Sequence, residues 1–300
     1  MTLAAETKRL CSQYGIKPAR SKGQHFLIRE DVYKKITEAA GLSKDDTVLE
    51  VGPGFGFLTE KLACKVKRVI AVELDDKLAG ALRERLAEQG IANVEVVNED
   101  ILKISKSKLF QIIPNQTQNP NVKNYKIVAN LPYNITSRFL RKFLSEVEQK
   151  PSLLVLLLQK EVVERLTAKP GQMSLLAVSV QFYAASRKVM AVPKSSFWPQ
   201  PKVDSAVVKL EVRSSPSLKL RTINKKLEVD ERKFFRLVKI GFSSKRKQLQ
   251  GNLTKGLKIK REDINKILAG CGFKATVRAQ ELSVEDWKSL LIALQERNVL

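Results

Sequence analysis

The sequence predicts an α/β domain with a mostly parallel sheet, followed by a small all-helical domain. Short apolar, β-branched runs alternate with helical stretches in the N-terminal part of the chain, and this alternation favours a parallel sheet covered by helices on both faces. A glycine-rich loop at 52–56 joins one of these runs to a helical stretch. From about Asp230 the chain carries helical periodicity instead, which predicts a separate helical domain.

The predicted strands share an apolar, β-branched composition and are, in chain order, "TVLEV" (47–51), "RVIAVEL" (68–74), "VEVV" (94–97), "KIVAN" (126–130) and "SLLVLLLQ" (152–159). Between the second and third runs, Leu78, Leu82 and Leu86 recur every four residues, which places them along one helix face. Residues 105–125 are polar and rich in Asn, Gln and Pro, and they predict a surface loop.

A polar segment separates the two predicted domains. After "SAVVKLEV" (205–212) comes "RSSPSLKLRTINKK", whose composition is typical of a linker. Three helical stretches follow it and start with "ERKFF", "REDIN" and "SVEDW". We therefore predict an α/β domain over 1–215 and a helical domain over 226–300.

The charge balance indicates a polyanionic partner. Lys and Arg number 54 against 31 Asp and Glu, a formal net charge of +23, far more than solubility requires. The longest apolar run, "LLVLLL" at 153–158, is too short to span a bilayer. Glu6, Lys8 and Arg9 interrupt any N-terminal apolar signal. We expect a protein without a membrane segment that binds nucleic acid.

The cysteine and histidine usage excludes several kinds of site. Cys11, Cys64 and Cys271 are odd in number and widely separated, so they lack the paired spacing of a zinc site and indicate a reducing, cytoplasmic compartment. His25 is the only histidine. A Ser/His/Asp triad or a multi-histidine metal site would depend on that one residue, and we expect neither.

The glycine loop "LEVGPGFGFLTE" (49–60) predicts a ligand site. Glycines between a strand and a helix let the backbone approach a ligand, and the helix N-terminus offers unpaired N–H groups. Glu73 ends the next predicted strand, where an acid can accept both hydroxyls of a ribose. The alternative is an ordinary tight strand-to-helix turn.

The spacing within this loop distinguishes two nucleotide ligands. A dinucleotide loop reads G-x-G-x-x-G, whereas here Gly52, Gly54 and Gly56 read G-x-G-x-G and residue 57 is Phe. This spacing, preceded by Glu50, fits the S-adenosylmethionine loop of Rossmann-like methyltransferases better. Asp100, after the third strand, is then placed to accept from the adenine amino group, although a helix N-cap before "ILKIS" is an alternative.

The stretch "NLPYN" (130–134) follows the fourth predicted strand and so faces the same sheet edge as the glycine loop. The N6 amine of adenine is a weak nucleophile because its lone pair is delocalised into the ring. The Asn130 side-chain oxygen and the carbonyl of Leu131 or Pro132 could accept its two N–H bonds and direct its lone pair at a methyl donor. Tyr133 offers a ring for base stacking. The alternative is a turn whose tyrosine merely packs.

Six stretches taken together resemble a known family: "KGQHFL" (22–27), "EVGPGFGFLTE", "VELD" (72–75), "NEDI", "NLPYNITS" and "SFWPQPKVDSAVV" (196–208). They resemble the small-subunit rRNA adenine-N6,N6-dimethyltransferases, the kasugamycin-sensitivity family, in order from about residue 20 to the C-terminus. The resemblance implies a class I methyltransferase domain with a mostly parallel seven-stranded sheet. It also implies S-adenosylmethionine-dependent dimethylation of two adjacent adenines near the 3′ end of 16S rRNA within the small ribosomal subunit, by a monomer.

The resemblance also implies residue roles. The implied cofactor contacts are His25, Leu27, Gly52, Gly54, Glu73, Asp100 and Asn130. Asn130, with Leu131 and Pro132, would hold the target amine, while Tyr133 and Phe197 would sandwich the adenine. His25 departs from the asparagine common at that position. Phe197 lies in "FWPQP", where we expect an exposed aromatic, with Trp198 as the alternative.

The stretch "GFSSKRKQLQGNL" (241–253) carries Lys245, Arg246 and Lys247. Such a run is commonly a solvated helix face, but the net charge favours phosphate contact. The family carries a similar basic stretch in its RNA-binding helical domain.

Three other functions stay open at this point. One is a 23S rRNA adenine methyltransferase of the macrolide-resistance type, whose glycine loop usually lacks "GPG" and which lacks the "KRKxLxxNL" stretch. Another is a DNA adenine methyltransferase, although nothing in the chain resembles a base-reading module. The last is a ribosome-assembly factor without catalysis. This function is disfavoured by the presence of the four residues Gly52, Glu73, Asp100 and Asn130.

Overall fold

The computed structural model describes residues 1–18, 24–113, 125–213, 220–222, 225–227, 229–244 and 246–300. The chain divides into two compact units. Unit 1 comprises Met1–Val163 and Ala185–Val212, and unit 2 comprises Glu164–Ala184 and Arg213–Leu300.

The main sheet has seven strands among the described residues. In chain order they are β2 (Thr47–Val51), β3 (Arg68–Glu73), β4 (Val94–Asn98), β5 (Lys126–Asn130), β6 (Leu153–Gln159), β7 (Ala184–Val192) and β9 (Ser205–Val212); β1 (Phe26–Leu27) and β8 (Phe197–Trp198) form a separate antiparallel pair. The spatial order is β4-β3-β2-β5-β6-β9-β7. Strands β2 to β6 pair in parallel, whereas β9 runs antiparallel to β6. This is the predicted fold class.

The strand order reverses direction between β2 and β5. Strand β2 pairs with β3 on one side and with β5 on the other, so the chain leaves β2 and β5 toward opposite sides of the sheet. In open α/β sheets, this switch point opens a crevice at the carboxyl ends of the strands. The loops after β2, β3 and β5 therefore meet at one edge.

Unit 1 contains α1 (Leu3–Gln13), α2 (Glu30–Ala40), α3 (Phe57–Ala63), α4 (Asp76–Glu88), α5 (Lys106–Ile112) and α6 (Thr136–Arg141), with a 3₁₀ turn at Tyr133–Ile135 and a π-helical turn at Lys142–Glu146. Helix α4 starts at the N-cap Asp75, whose carboxylate accepts from the N–H groups of Lys77 and Leu78. Its Leu78, Leu82 and Leu86 are all buried, which confirms the predicted apolar face.

One predicted loop is partly helical. Residues 105–125 were expected to form a surface loop, yet α5 occupies Lys106–Ile112. Ser105 caps it by accepting from the Lys108 N–H at 3.1 Å, and Leu109 and Ile113 are buried. The cap and the burial of two apolar side chains outweigh the polar composition of the segment. Residues 114–124, the rest of that prediction, lie outside the described residues.

Unit 2 is mostly helical. It contains α8 (Leu175–Tyr183), α9 (Glu231–Gly241), α10 (Leu249–Leu257), α11 (Arg261–Gly270) and α12 (Val284–Gln295), while α7 (Lys160–Leu166) crosses the division between the units. The predicted linker holds two short antiparallel strands, β10 (Leu220–Thr222) and β11 (Lys225–Leu227). The sequence-based prediction of a linker followed by a helical domain did not include these two strands.

The division between the units also differs from the sequence-based boundary. Residues 164–184 belong to unit 2, whereas the prediction placed everything up to 215 in the first domain. The Phe182 ring lies 4.5 Å from the Phe234 ring and 5.1 Å from the Phe235 ring, centroid to centroid. Aromatic contacts of this kind dominate core packing, so α8 packs with the C-terminal helices.

No helix in the described part of the chain combines the length and the apolarity needed to cross a membrane.

Candidate active site

A cavity lies at the carboxyl ends of β2, β3 and β5. Most of the sequence-predicted site residues line it: His25, Leu27, Gly52, Gly54, Glu73, Asn130, Leu131, Pro132 and Tyr133. Asp100 and Phe197 are not among its lining residues. The parallel strand pairing thus brings together residues that are far apart in the sequence.

The glycine loop passes close to two other walls of the cavity. Gly52 and Gly54 have φ values of +69° and +59°, which favour glycine. A Cβ on Gly52 would lie 3.6 Å from the Asn130 carbonyl oxygen, and a Cβ on Gly54 would lie 3.2 Å from the Phe26 ring. The positive φ therefore favours glycine at both positions, and at Gly54 a Cβ would also lie unusually close to the Phe26 ring.

Glu73 ends β3 with its side chain buried in this cavity. Its Oε2 accepts from the Gly54 N–H at 3.2 Å, and its Oε1 accepts from the Asp75 N–H at 3.0 Å. Burial raises the pKa of Glu73, while these two backbone N–H groups oppose the rise by stabilising the carboxylate. The carboxylate is thus held in a fixed orientation against the glycine loop.

Glu50 is a site residue that the sequence analysis used only as part of the loop pattern. It is 1% exposed, lines the cavity, and its Oε2 has no hydrogen-bond partner among the described residues. Burial, with a smaller contribution from the negative charge of Glu73, raises the pKa of Glu50 to about 8. An acidic residue one position before the end of a fully buried strand was the sequence feature that could have identified Glu50 as a residue of this cavity.

Asp100 follows β4 and forms a turn. Its Oδ1 accepts from the Leu102 N–H at 2.9 Å, and its carbonyl accepts from the N–H groups of Lys103 and Ile104. The residue is half-buried. The alternative role of Asp100 as a helix N-cap is thus present only in part: its carboxylate accepts a backbone N–H as an N-cap does, but the residues after it form a turn and not a helix.

The "NLPY" loop begins at the last residue of β5. Asn130 donates through Nδ2 to the carbonyl oxygen of His25 at 3.4 Å, which leaves Oδ1 as the acceptor atom of the side chain. Leu131 is buried. The Pro132 carbonyl accepts from the Ile135 N–H at 3.2 Å, so it closes the 3₁₀ turn that starts at Tyr133.

Two aromatic rings face each other at this loop. The rings of His25 and Tyr133 are nearly parallel, with centroids 6.2 Å apart and an interplanar angle of 26°. The Tyr133 hydroxyl is 2.7 Å from Ser205 Oγ, and His25 Nδ1 is 2.6 Å from the Pro199 carbonyl oxygen. Since a carbonyl only accepts, Nδ1 carries the proton and donates. Each ring is thus held by a hydrogen bond.

Phe197 does not present an exposed ring, so that prediction is wrong. It is 3% exposed and belongs to the core of unit 1, whereas Trp198 is half-buried. In the β1–β8 pair, Leu27 opposes Phe197 and Phe26 opposes Trp198. Directly opposite residues share a face, so Phe197 points inward with the buried Leu27 and Trp198 points the other way.

The basic run lies in unit 2. Lys245 is outside the described residues, while Arg246 and Lys247 are exposed. They line a second cavity together with three cations that sequence reasoning missed, and we call the five the basic cluster: Arg246, Lys247, Lys255, Arg261 and Arg278. Between described residues, no ion pair involves any member. Arg261 Nε donates to the buried Gln250 Oε1 at 2.9 Å, which orients its guanidinium.

Known proteins are similar to this chain over most of its length. A ribosomal RNA small subunit methyltransferase A from Dehalococcoides mccartyi (strain ATCC BAA-2266 / KCTC 15142 / 195) is 41% identical over 296 residues, which cover 98% of this chain and 94% of that protein. The crystal structure of a dimethyladenosine transferase from Plasmodium falciparum is similar at a TM-score of 0.74 and 28% identity, covering 91% of this chain and 98% of that one. The crystal structure of the 23S rRNA methyltransferase ErmE is similar at a TM-score of 0.69 and 28% identity, covering 90% of this chain and 99% of that one.

The family described as ribosomal RNA adenine dimethylase matches residues 16–296. This range contains the cavity at the ends of β2, β3 and β5 as well as the basic cluster. The chain therefore belongs to the ribosomal RNA adenine dimethylase family.

Proposed function

We propose that this protein is a cytoplasmic, S-adenosylmethionine-dependent methyltransferase that dimethylates N6 of two adjacent adenines near the 3′ end of 16S rRNA. One observation carries the proposal. A single cavity joins the glycine loop and Glu73 to the "NLPY" loop, so a nucleoside-binding acid lies beside acceptors for an amine. The family membership and the name of the Dehalococcoides relative support the same substrate.

The residues of the cavity fit S-adenosylmethionine. Each carboxylate oxygen of Glu73 accepts one backbone N–H and can accept more, which suits the two hydroxyls of a ribose. The space beside Gly52 would be reduced by any Cβ. The unpartnered Glu50 Oε2 offers an acceptor or a negative charge to the cationic end of the cofactor. We assign further cofactor contacts to Leu27, Gly54, His25 and Asp100.

The target amine would be held by the "NLPY" loop. Asn130 Oδ1 would accept one N6 hydrogen. We assign the other to the Leu131 carbonyl, since one of the two lone pairs of the Pro132 carbonyl accepts from the Ile135 N–H. When bound, the cofactor supplies an electrophilic methyl group on its sulfonium. Asn130 and Leu131 would direct the N6 lone pair toward that methyl group, and the proton that N6 loses on methylation would pass to water. A second round gives the dimethylated base.

Tyr133 would provide the stacking wall for the adenine. Its hydroxyl contact with Ser205 fixes the ring plane, and stacking on such a ring is sequence-tolerant and strong. The ring that faces Tyr133 in the cavity is that of His25. Phe197 is buried opposite Leu27, which lines the cavity, so we propose that it supports the cavity wall rather than stacking directly on the adenine.

The basic cluster of unit 2 would hold the RNA backbone. Its five exposed or cavity-lining cations and the formal charge of +23 favour phosphate contact, which supplies most of the affinity of RNA-binding proteins. We propose that Lys245 joins this cluster. Structured RNA is recognised by its shape and its phosphates, with the reactive base turned outward. We further propose that the protein acts as a monomer on the small ribosomal subunit.

A test of the substrate uses subunits that lack the modification. Incubation with S-adenosylmethionine should place dimethyladenosine in the RNA of small subunits and none in that of large subunits, as read by mass spectrometry. Methylation confined to large-subunit RNA would support the 23S alternative, whose fold is similar. Binding to small subunits without methylation would support an assembly factor.

Glu73→Ala should weaken cofactor binding because the ribose hydroxyls lose their charged acceptor. Hydrogen bonds to a charged group contribute about 1.5–3 kcal/mol, so Kd should rise by roughly tenfold or more. Calorimetry with S-adenosylmethionine measures it. Asp76→Ala is the control, because it removes an exposed carboxylate three residues further along the chain, at the start of α4, and should leave Kd unchanged. Equal affinities for all three proteins would contradict the ribose assignment.

Asn130→Ala should reduce methyl transfer much more than RNA binding. Removing a preorganised group that acts in the transition state typically lowers kcat by about 10²–10³, whereas RNA affinity comes from dispersed phosphate contacts. Single-turnover methylation of small subunits at saturating cofactor measures the rate. Asn134→Ala, an exposed amide of the same loop, serves as the control and should remain active.

The Tyr133 variants refine this experiment. Tyr133→Phe keeps the ring and loses only the hydroxyl contact with Ser205, so its rate should fall mildly. Tyr133→Ala removes the stacking wall and should be severely impaired. If Asn130→Ala methylated at the wild-type rate, the loop would be a structural turn.

Replacing Arg246 and Lys247 with Gln should weaken RNA binding and flatten its salt dependence. The slope of log K against log salt should fall by about 0.7–0.9 per lost phosphate contact, with cofactor affinity unchanged. Replacing Lys65 and Lys67, two exposed lysines of unit 1, removes the same charge and should leave the slope nearly unaltered. Identical slopes for both double variants would mean that Arg246 and Lys247 are only solvated surface charges.

A further inference from the structure

Lys142 is a buried cation that the mechanism above does not use. It is 8% exposed, and its Nζ donates to three backbone carbonyls, those of Ile101 at 2.8 Å, Leu102 at 3.2 Å and Ile104 at 2.6 Å. Three bonds use the full donor capacity of an ammonium group. Burying a cation destabilises the folded state unless hydrogen-bond acceptors surround it. These three carbonyls therefore stabilise the Lys142 ammonium group in its buried position.

The three carbonyls belong to the turn that Asp100 starts. This turn is closed by the Asp100 carboxylate, which accepts from Leu102 N–H, and by the Asp100 carbonyl, which accepts from Ile104 N–H. Lys142 therefore binds carbonyl groups of this turn, while Asp100 binds N–H groups of the same turn. Burial lowers the pKa of Lys142, and the negative charges of Asp100 and Glu146 oppose that shift.

At its other end, Lys142 is continuous with the "NLPY" loop. The 3₁₀ turn Tyr133–Ile135 leads directly into α6 (Thr136–Arg141), and Lys142 opens the π-helical turn that follows. The Val147 N–H closes that turn on the Lys142 carbonyl at 3.0 Å. Such single π turns occur frequently at functional sites. One side chain thus joins the helix that carries the amine-binding loop to the turn that carries Asp100.

We propose that Lys142 is a positioning residue that couples the Asp100 turn to the "NLPY" loop, so that occupation of the cofactor site orders the loop that holds the target adenine. The inference rests on the proposed function, because it takes Asp100 as a cofactor contact. The coupling is carried by hydrogen bonds within unit 1 and needs no contact with RNA. Reciprocity requires that the loop in turn stabilises the cofactor-binding turn.

A second buried lysine provides a matched control. Lys126 is 7% exposed, and its Nζ donates to Gly41 O and pairs with Asp46, both at 2.7 Å. It lies at the first residue of β5, whereas Asn130 lies at the last, so it is at the opposite end of the strand from the cavity. Lys126→Met removes a buried amine of the same kind without touching either segment of the proposed coupling.

The experiment measures amide hydrogen exchange in the full chain without RNA, with and without S-adenosylmethionine. In the wild type, the cofactor should protect both 101–104 and 131–141. In Lys142→Met, the 101–104 amides should exchange faster in the free protein, and cofactor protection of 131–141 should be lost. Calorimetry should show Kd for the cofactor raised by about 5- to 150-fold, the usual range of coupling between sites. Lys126→Met should lower Tm while keeping the wild-type exchange pattern.

Several outcomes would overturn the proposal. Wild-type exchange of both segments in Lys142→Met would do so, as would faster exchange of 101–104 with cofactor protection of 131–141 intact. Should the Met variant not fold, Lys142→Gln keeps a neutral donor and should show part of each effect; an unchanged pattern there would again exclude coupling. A wild-type protein that fails to bind the cofactor would instead refute the proposed function, and the free-protein exchange at 101–104 and 131–141 would still decide whether Lys142 links the two segments.

Discussion

The candidate site depends on the parallel pairing of β2 with β3 and β5. Val51 is the register partner of Val72, which puts the glycine loop that follows β2 level with Glu73 at the end of β3. Strand β5 lies on the other side of β2 and delivers Asn130 to the same edge. A shift of one residue in either pairing would rotate every side chain to the other face of the sheet, so strand register sets the chemistry of the cavity before any loop is considered.

Close backbone approach is the second constraint, and it follows from the first. Because β2 lies between β3 and β5, the glycine loop has to pass beside the residues that follow β5. A Cβ on Gly52 would lie 3.6 Å from the Asn130 carbonyl oxygen, an ordinary contact distance, so a side chain there would fill part of the gap between the glycine loop and the residues that follow β5. The positive φ of Gly52 adds a conformational cost for any other residue.

The sequence predicted what depends on local pattern and missed what depends on tertiary partners. The predicted apolar runs correspond to strands β2 to β6. Leu78, Leu82 and Leu86, whose spacing predicted one helix face, lie on the buried face of α4. The inward orientation of Phe197 comes from its pairing with Leu27, which a two-residue strand does not reveal. Likewise, a lysine in an amphipathic stretch gives no sign that it will bind three carbonyls, as Lys142 does.

The acidic and the basic side chains of the two cavities are distributed differently. The chain has a formal net charge of +23, yet among the described residues no lysine or arginine lines the cavity at the ends of β2, β3 and β5, whereas Glu50 and Glu73 both do. Burial raises the pKa of both carboxyl groups, and the negative charge of Glu73 adds to the rise at Glu50. A cationic ligand with hydrogen-bond donors would stabilise the ionised form of both carboxyl groups. A lysine or arginine side chain in the cavity would compete with such a ligand for the same carboxylates. The absence of lysine and arginine from the described lining of this cavity and their concentration in the basic cluster suit the proposed function, in which one strongly basic chain would bind a polyanion and a cationic methyl donor at the same time.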